Sequence, residues 1–117
     1  MFEGVIADLL KIDGVRGVLI VSMDGLLIEG ESTDRTINME TSAAMIATIY
    51  GSAQNVGNEI FSSNAVDMIT VEGPKGKIII SGAGEDAVLG IISDSNINLG
   101  LIRIHLKREA QKVAAML

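Results

Sequence analysis

The chain has 117 residues, 48% hydrophobic and 21% charged, with a mean hydropathy of +0.42; this suits one compact domain and disfavours disorder. It holds no Cys and a single His, so a disulfide scaffold, Cys-His nucleophilic chemistry and Cys-rich or His-pair metal sites cannot be assembled within it. Nine Lys and Arg against fifteen Asp and Glu leave a net charge of −6, and aromatics are 3%, which removes the overall electrostatic pull of nucleic acid and the stacking platforms for single strands.

Residues 2 to 11 place Phe2, Val5, Ile6, Leu9 and Leu10 at helical spacing, predicting a short amphipathic helix that stops near Asp13-Gly14. Glu3 and Asp8 stand where a secretion signal needs basic residues. No stretch reaches the roughly 18 uninterrupted apolar residues of a membrane span, so the expected location is cytoplasmic. Next come two apolar runs, 17 to 22 and 26 to 30, around Met23-Asp24-Gly25; an Asp-Gly turn between such runs is a strong hairpin signal. Residues 36 to 58 contain no Pro and repeat Ala, Met and Ile, with Thr33 or Asp34 as the expected N-cap. Gly51 and Gly57 weaken the second half of this helix pattern. Strands are expected over Ala65 to Glu72, Lys77 to Ser81 and Ala87 to Ser93, separated by glycine-rich turns short enough for hairpins. From Asn98 the stripe Leu99, Ile102, Leu106, Ala110, Val113 and Leu117 predicts a closing helix, with Arg103, Lys107, Arg108 and Lys112 off that stripe.

The predicted order is α-β-β-α-β-β-β-α, without repeat, linker or low-complexity segment. Links this short demand antiparallel pairing. Yet Val18 to Val21, Ile78 to Ile80 and Val88 to Ile92 are apolar on consecutive positions, so both faces of the sheet must be covered. The fold class is therefore α/β in the α+β sense: an α/β/α sandwich on a five-stranded antiparallel sheet, the long helix on one face and the terminal helices on the other. The whole chain, 1–117, forms one domain.

The long helix carries the main functional signal. Between Thr36 and Asn58 its only charged residue is Glu40. Met39, Ala43, Ile46, Tyr50, Ala53 and Gly57 share one sector, flanked by Met45, Ile49 and Val56, and the remaining circumference is small and neutral. An uncharged surface of this extent on a small domain marks association, and a symmetric homodimer is the simplest form. The strand after it would be an edge able to pair with its twin. The candidate dimer contacts are Thr41, Ala44, Met45, Thr48, Gly51, Ser52 and Asn55 on the helix, with Met68 and Thr70 on the strand.

Other motifs point to structure. Asp94, Asn96 and Asn98 alternate as in a calcium loop, but Leu99 stands where the loop needs Gly and His105 where it needs Glu; Asn96 or Asn98 reads as a helix cap. Gly82-Ala83-Gly84 lacks the rest of a phosphate loop. Asp24, Glu29, Glu31 and Asp34 read as a solvated face, His105 as a surface residue and Arg35 as a loop arginine. The last fifteen residues sum to +3 against −9 elsewhere, favourable for an acidic partner or lipid headgroup and also for the helix dipole. No catalytic, cofactor or metal site is expected.

The stretch from Ile12 to Leu26, Ile-Asp-Gly-Val-Arg-Gly-Val-Leu-Ile-Val-Ser-Met-Asp-Gly-Leu, resembles the opening of the Roadblock family, the dynein light chains and relatives that regulate small GTPases. Thr41 to Ala44, Lys77 to Ile80 and Gly100 to Arg103 are similar to its later parts. The resemblance implies a Roadblock/longin-like, profilin-like fold, a homodimer through the second helix and third strand, no catalytic site, and a surface that docks a Ras-like small GTPase. A membrane would be reached only indirectly, if at all, and nucleic acid is not an expected partner. The alternatives are a nucleotide-independent structural adaptor of the dynein-light-chain kind, or a small-molecule sensor with Met39, Met45 and Met68 around a pocket.

Overall fold

A computed structural model describes residues 1–63 and 66–117. In chain order the elements are α1 (Glu3–Leu10), β1 (Val15–Ser22), β2 (Leu27–Ser32), α2 (Met39–Phe61), β3 (Met68–Gly73), β4 (Gly76–Ala83), β5 (Ala87–Ser93) and α3 (Leu99–Met116). The sheet runs β2-β1-β5-β4-β3 and every neighbouring pair is antiparallel.

The consecutive apolar runs are explained by two cores. Side chains alternate across a strand, so Val18 and Ile20 of β1 join Phe2, Val5, Ile6 and Leu9 of α1 and Ile102, Leu106 and Val113 of α3. Leu19 and Val21 face the other way, onto Ala43 and Ile46 of α2, with Ile80 and Val88 beside them. The arrangement is the predicted sandwich.

Several boundaries differ from the sequence reading. The long helix begins at Met39 rather than residue 36, and its N-cap is Asn38, whose Oδ1 accepts the Thr41 N–H at 3.0 Å; Thr33 and Asp34 lie in the preceding loop. It continues through Gly51 and Gly57 to Phe61, where Ser62 turns left-handed at φ 57° and ends it. The third strand starts at Met68, and the expected start at Ala65 lies outside the described residues. Of the two candidate caps of α3, Asn98 is the one used, accepting the Leu101 N–H at 3.0 Å.

Two loops leading into helices share a pattern. Thr33-Asp34-Arg35-Thr36-Ile37-Asn38-Met39 precedes α2 and Ser93-Asp94-Ser95-Asn96-Ile97-Asn98-Leu99 precedes α3. Arg16 at the start of β1 holds both, its Nη2 against Asp34 and its Nε 3.6 Å from Asp94 Oδ1.

Candidate functional site

The path of α2 creates the candidate site. Met39 lies against Gly30 of β2, Ala44 and Ala47 against Gly25 in the β1–β2 turn, Ile46 over Gly90 of β5, and Tyr50 against Gly82 of β4. The helix thus runs across the strands near the end of the sheet that carries the β1–β2 and β4–β5 turns. Its 23 residues span about 34 Å, whereas the four strand spacings beneath it span about 19 Å. The C-terminal end must therefore overshoot the β3 edge. There Val56, Ile60 and Phe61 are 53%, 66% and 73% exposed.

The opposite end of the sheet lacks a helix on this face. Val71 of β3, Ile78 of β4 and Ile92 of β5 line an apolar depression of about 300 Å³, rimmed by Arg16, Lys75 and Lys77. Along the outside of α2, Thr41, Ala44, Met45, Thr48, Gly51, Ser52 and Asn55 are all exposed, and Ala44, Met45, Thr48 and Ile49 line a second shallow apolar depression. Met45 and Val56, expected beside the buried sector, are exposed. Met39, Ala43, Ile46, Tyr50, Ala53 and Gly57 do face inward or are partly covered.

The two candidate residues on β3 fall elsewhere. Met68 pairs with Ser81 and packs into the α1/α3 core, and Thr70 Oγ1 accepts a hydrogen bond from Arg103 Nη2 at 3.3 Å. Both side chains lie on the face opposite α2. Ile69 and Val71, paired with Ile80 and Ile78, are the β3 side chains on the α2 face. Strand period distinguishes these two sets but not which one shares a face with α2; the cross-strand register decides it.

The two sheet edges are unlike. On β2 the register slips between Ile20 and Val21, and Glu29 and Glu31 stand on the strand. A bulge and charges both discourage added strands. β3 pairs with β4 in unbroken register from Met68 to Gly73 and is uncharged until Glu72. It is the edge suited to pairing.

Around the loop before α2, Asp34 is less solvated than expected. Its Oδ1 accepts the Thr36 N–H at 2.9 Å and the Thr36 hydroxyl at 2.6 Å, and its Oδ2 faces Arg16. These Thr36 bonds, then Arg16, hold the carboxyl below the ordinary aspartate value of 3.8. A carboxyl with a lowered folded pKa stabilises the fold above its unfolded value, and that contribution is lost as pH falls through the folded value. Urea midpoints measured on descending pH should therefore drop below about pH 4, and Asp34→Asn should flatten that part of the profile. A profile identical to that of the parent chain would show that this loop carries no such linkage.

Asp24 and Glu31 are exposed as expected, Arg35 is an exposed loop residue, and His105 is half-buried with Nδ1 2.6 Å from Arg108 Nη2. A cavity of about 350 Å³ lies where Tyr50 and Gln54 of α2 approach Met68, Lys107 and Gln111. Of the three methionines expected around a sensor pocket, it includes Met68 but neither Met39 nor Met45. Burial, and secondarily Asp67, raises the Tyr50 hydroxyl pKa. Among the described residues no cluster of His, Asp or Glu could hold a metal ion, and no helix is long and apolar enough to cross a membrane.

The Roadblock/LC7 domain model matches residues 1–93. The chain belongs to the Roadblock/LC7 family. An uncharacterized protein of Methanocaldococcus jannaschii is 36% identical to this Roadblock/LC7 chain over 116 residues, 99% of this chain and 96% of its own. A second from the same organism is 34% identical, covering 99% of each. Among solved structures, the gliding protein MglB from Thermus thermophilus has a TM-score of 0.88 at 20% identity, over 97% of this chain and 85% of that one. A Roadblock/LC7 domain from Streptomyces avermitilis gives 0.88 at 16%, over 97% and 95%. Acanthamoeba castellanii profilin IA gives 0.65 at 11%, over 99% and 98%. These structures share the fold, including its expected likeness to profilin. The Roadblock/LC7 family is a family of non-enzymatic regulator and adaptor domains.

Proposed function

We propose that the chain is a homodimeric regulator or scaffold of a Ras-like small GTPase, built on α2 and β3. The observation that carries the dimer is the mismatch between α2 and its sheet: an overshooting apolar helix end beyond β3, and an uncovered apolar depression at the other end of the same face. A two-fold axis that pairs β3 antiparallel with β3 of a second copy brings the α2-covered end of one sheet beside the uncovered end of the other. Val56 and Ile60 of each α2 then lie over Val71, Ile78 and Ile92 of its partner. The two helices meet along Thr41, Ala44, Met45, Thr48, Gly51, Ser52 and Asn55, whose side chains, Met45 apart, are small and permit close approach. On β3, Ile69 and Val71 replace Met68 and Thr70 as the side chains contributed to this face.

The GTPase reading rests on family membership. Stimulation, where it occurs, comes from ordering the GTPase's own catalytic residues rather than from donating an arginine. Arg35→Ala should then leave single-turnover GTP hydrolysis by the recovered partner unchanged, and a collapse of that rate would overturn this mechanism. The partner itself is tested by affinity capture from source-cell lysate with GDP and with a non-hydrolysable GTP analogue, followed by mass spectrometry. A small P-loop GTPase held in one nucleotide state is the expected result. Partners recovered regardless of nucleotide, without a GTPase, would establish the structural-adaptor alternative instead.

A further inference from the structure

The charge of α3 differs from its sequence sum. Glu109, which offsets one of its four cations on paper, is 1% exposed, with Oε2 2.8 Å from Lys112 Nζ and 3.6 Å from Arg108 Nε. The charged groups α3 shows to solvent are thus all cationic: Arg103, Lys107, Arg108 and Lys112. Between them Leu101 and Ile104 are 44% and 66% exposed, aliphatic tips set among positive charges rather than opposite them.

The position of α3 matters as much as its charge. It packs chiefly on β4 and reaches the β3 edge through the Arg103–Thr70 hydrogen bond. In the dimer proposed above, the two α3 helices share one face on either side of the two-fold axis, about 14 Å apart across three strand spacings. Their cations then form one central, roughly planar field. Acidic groups on this face are remote or set against cations: Glu72, on the same face of β3 as Thr70, has Oε1 3.6 Å from Lys77 Nζ, and Asp67 lines the cavity that Lys107 also lines. Glu29 and Glu31, in register with Ile20 and Val18, stand on β2, three strands from β4 in the outward direction, beyond the screening length of about 8 Å at physiological salt. Glu3 binds the N-terminal amine at 2.7 Å, and Asp8 faces Lys11 at 3.9 Å.

We propose that the α3 face docks on an anionic lipid bilayer, with the cations meeting headgroup phosphates and Ile104 and Leu101 entering the headgroup layer. A bilayer takes a flat cationic field with aliphatic tips and requires no shape match, whereas the absence of aromatic residues on α3 disfavours single-stranded nucleic acid. This replaces the expectation that a membrane is reached only indirectly. Avidity rests on the dimer reading; the contact chemistry belongs to each protomer.

The test is co-sedimentation of the full chain with phosphatidylcholine vesicles, with and without phosphatidylglycerol, at low and high salt. Binding is expected only with phosphatidylglycerol, should vanish at high salt, and should weaken at least about tenfold in Lys107→Glu and in Ile104→Ser. Both variants should sediment with the parent's mass, which separates lost lipid contact from lost folding. The monomeric variant Thr48→Arg should bind more weakly but with the same salt and Lys107 dependence. A monomeric parent that still shows this dependence would remove the dimer and leave the lipid contact standing. No binding, equal binding to both vesicles, or binding indifferent to Lys107→Glu and Ile104→Ser would overturn the proposal. So would avid binding to polyglutamate or duplex DNA without binding to vesicles.

Discussion

Ile46→Ala is expected to cost about 2–5 kcal/mol, a large share of the roughly 5–15 kcal/mol that holds a domain of this kind folded. Ile46 is 2% exposed and is the one large side chain of α2 that is fully buried, beside Ala43 and Gly57, so it is the main anchor of the helix, with Met39, Ala47, Ile49 and Tyr50 packed half-buried around it. Its Cδ1 lies 3.0 Å from where a Cβ on Gly90 would sit. The glycine and the isoleucine therefore share one space, and their substitutions should be non-additive. Gly90→Ala alone should destabilise by forcing Ile46 out of place, by about 1–3 kcal/mol. In an Ile46→Ala background it should cost less, because the new methyl enters vacated volume. A thermal or urea double-mutant cycle reads this directly. Strict additivity of the two changes would mean that Ile46 is not seated over Gly90.

Thr48→Arg should convert the proposed dimer to a monomer while leaving the fold intact. Thr48 lies on the outer side of α2, with its hydroxyl donating to the Ala44 carbonyl at 3.0 Å, so an arginine there meets solvent in an isolated protomer. In the dimer the same guanidinium would be pressed against an uncharged surface. Burying an unpaired charge costs about 3–5 kcal/mol, a weakening of roughly two to nearly four orders of magnitude, and the two-fold axis presents the defect twice. Met45→Glu should act in the same direction. Ile104→Arg, on the exposed side of α3, is the control that leaves self-association unchanged. A dimer that tolerates both α2 substitutions would place the interface on another surface.

Local signals carried most of the architecture. The Asp24-Gly25 turn, the Gly-rich separators and the helical stripes each specify an element from neighbouring residues, and short links leave antiparallel pairing as the available topology. What escaped depends on partners far along the chain. Asp34 is a good cap type, but Arg16, 18 residues earlier, and Thr36 take its carboxylate, leaving Asn38 to cap α2. The likeness of the loops before α2 and α3 was readable, since Ile-Asn followed by Met or Leu closes both.

The candidate surface was legible in the same proportion. The uncharged circumference of α2 is a property of one segment and could be read directly. Which β3 side chains share its face depends on the β3–β4 register, which puts Ile69 and Val71 on the α2 face and Met68 and Thr70 on the other. The overshoot of Ile60 and Phe61 was missed because the helix pattern was ended at residue 58. Glu109 enters the charge sum of the last fifteen residues, although it stands on the Ile102, Leu106 and Val113 stripe at spacings that assign it to the covered side of α3.

Sedimentation equilibrium of the untagged chain tests the central claim most directly. The account predicts a species of twice the 12.3 kDa chain mass at micromolar concentration, unchanged at high salt because the proposed α2 contacts are uncharged, and reduced to the single-chain mass by Thr48→Arg. A parent chain that sediments at the single-chain mass would contradict it, as would a dimer that dissociates with salt but not with that substitution.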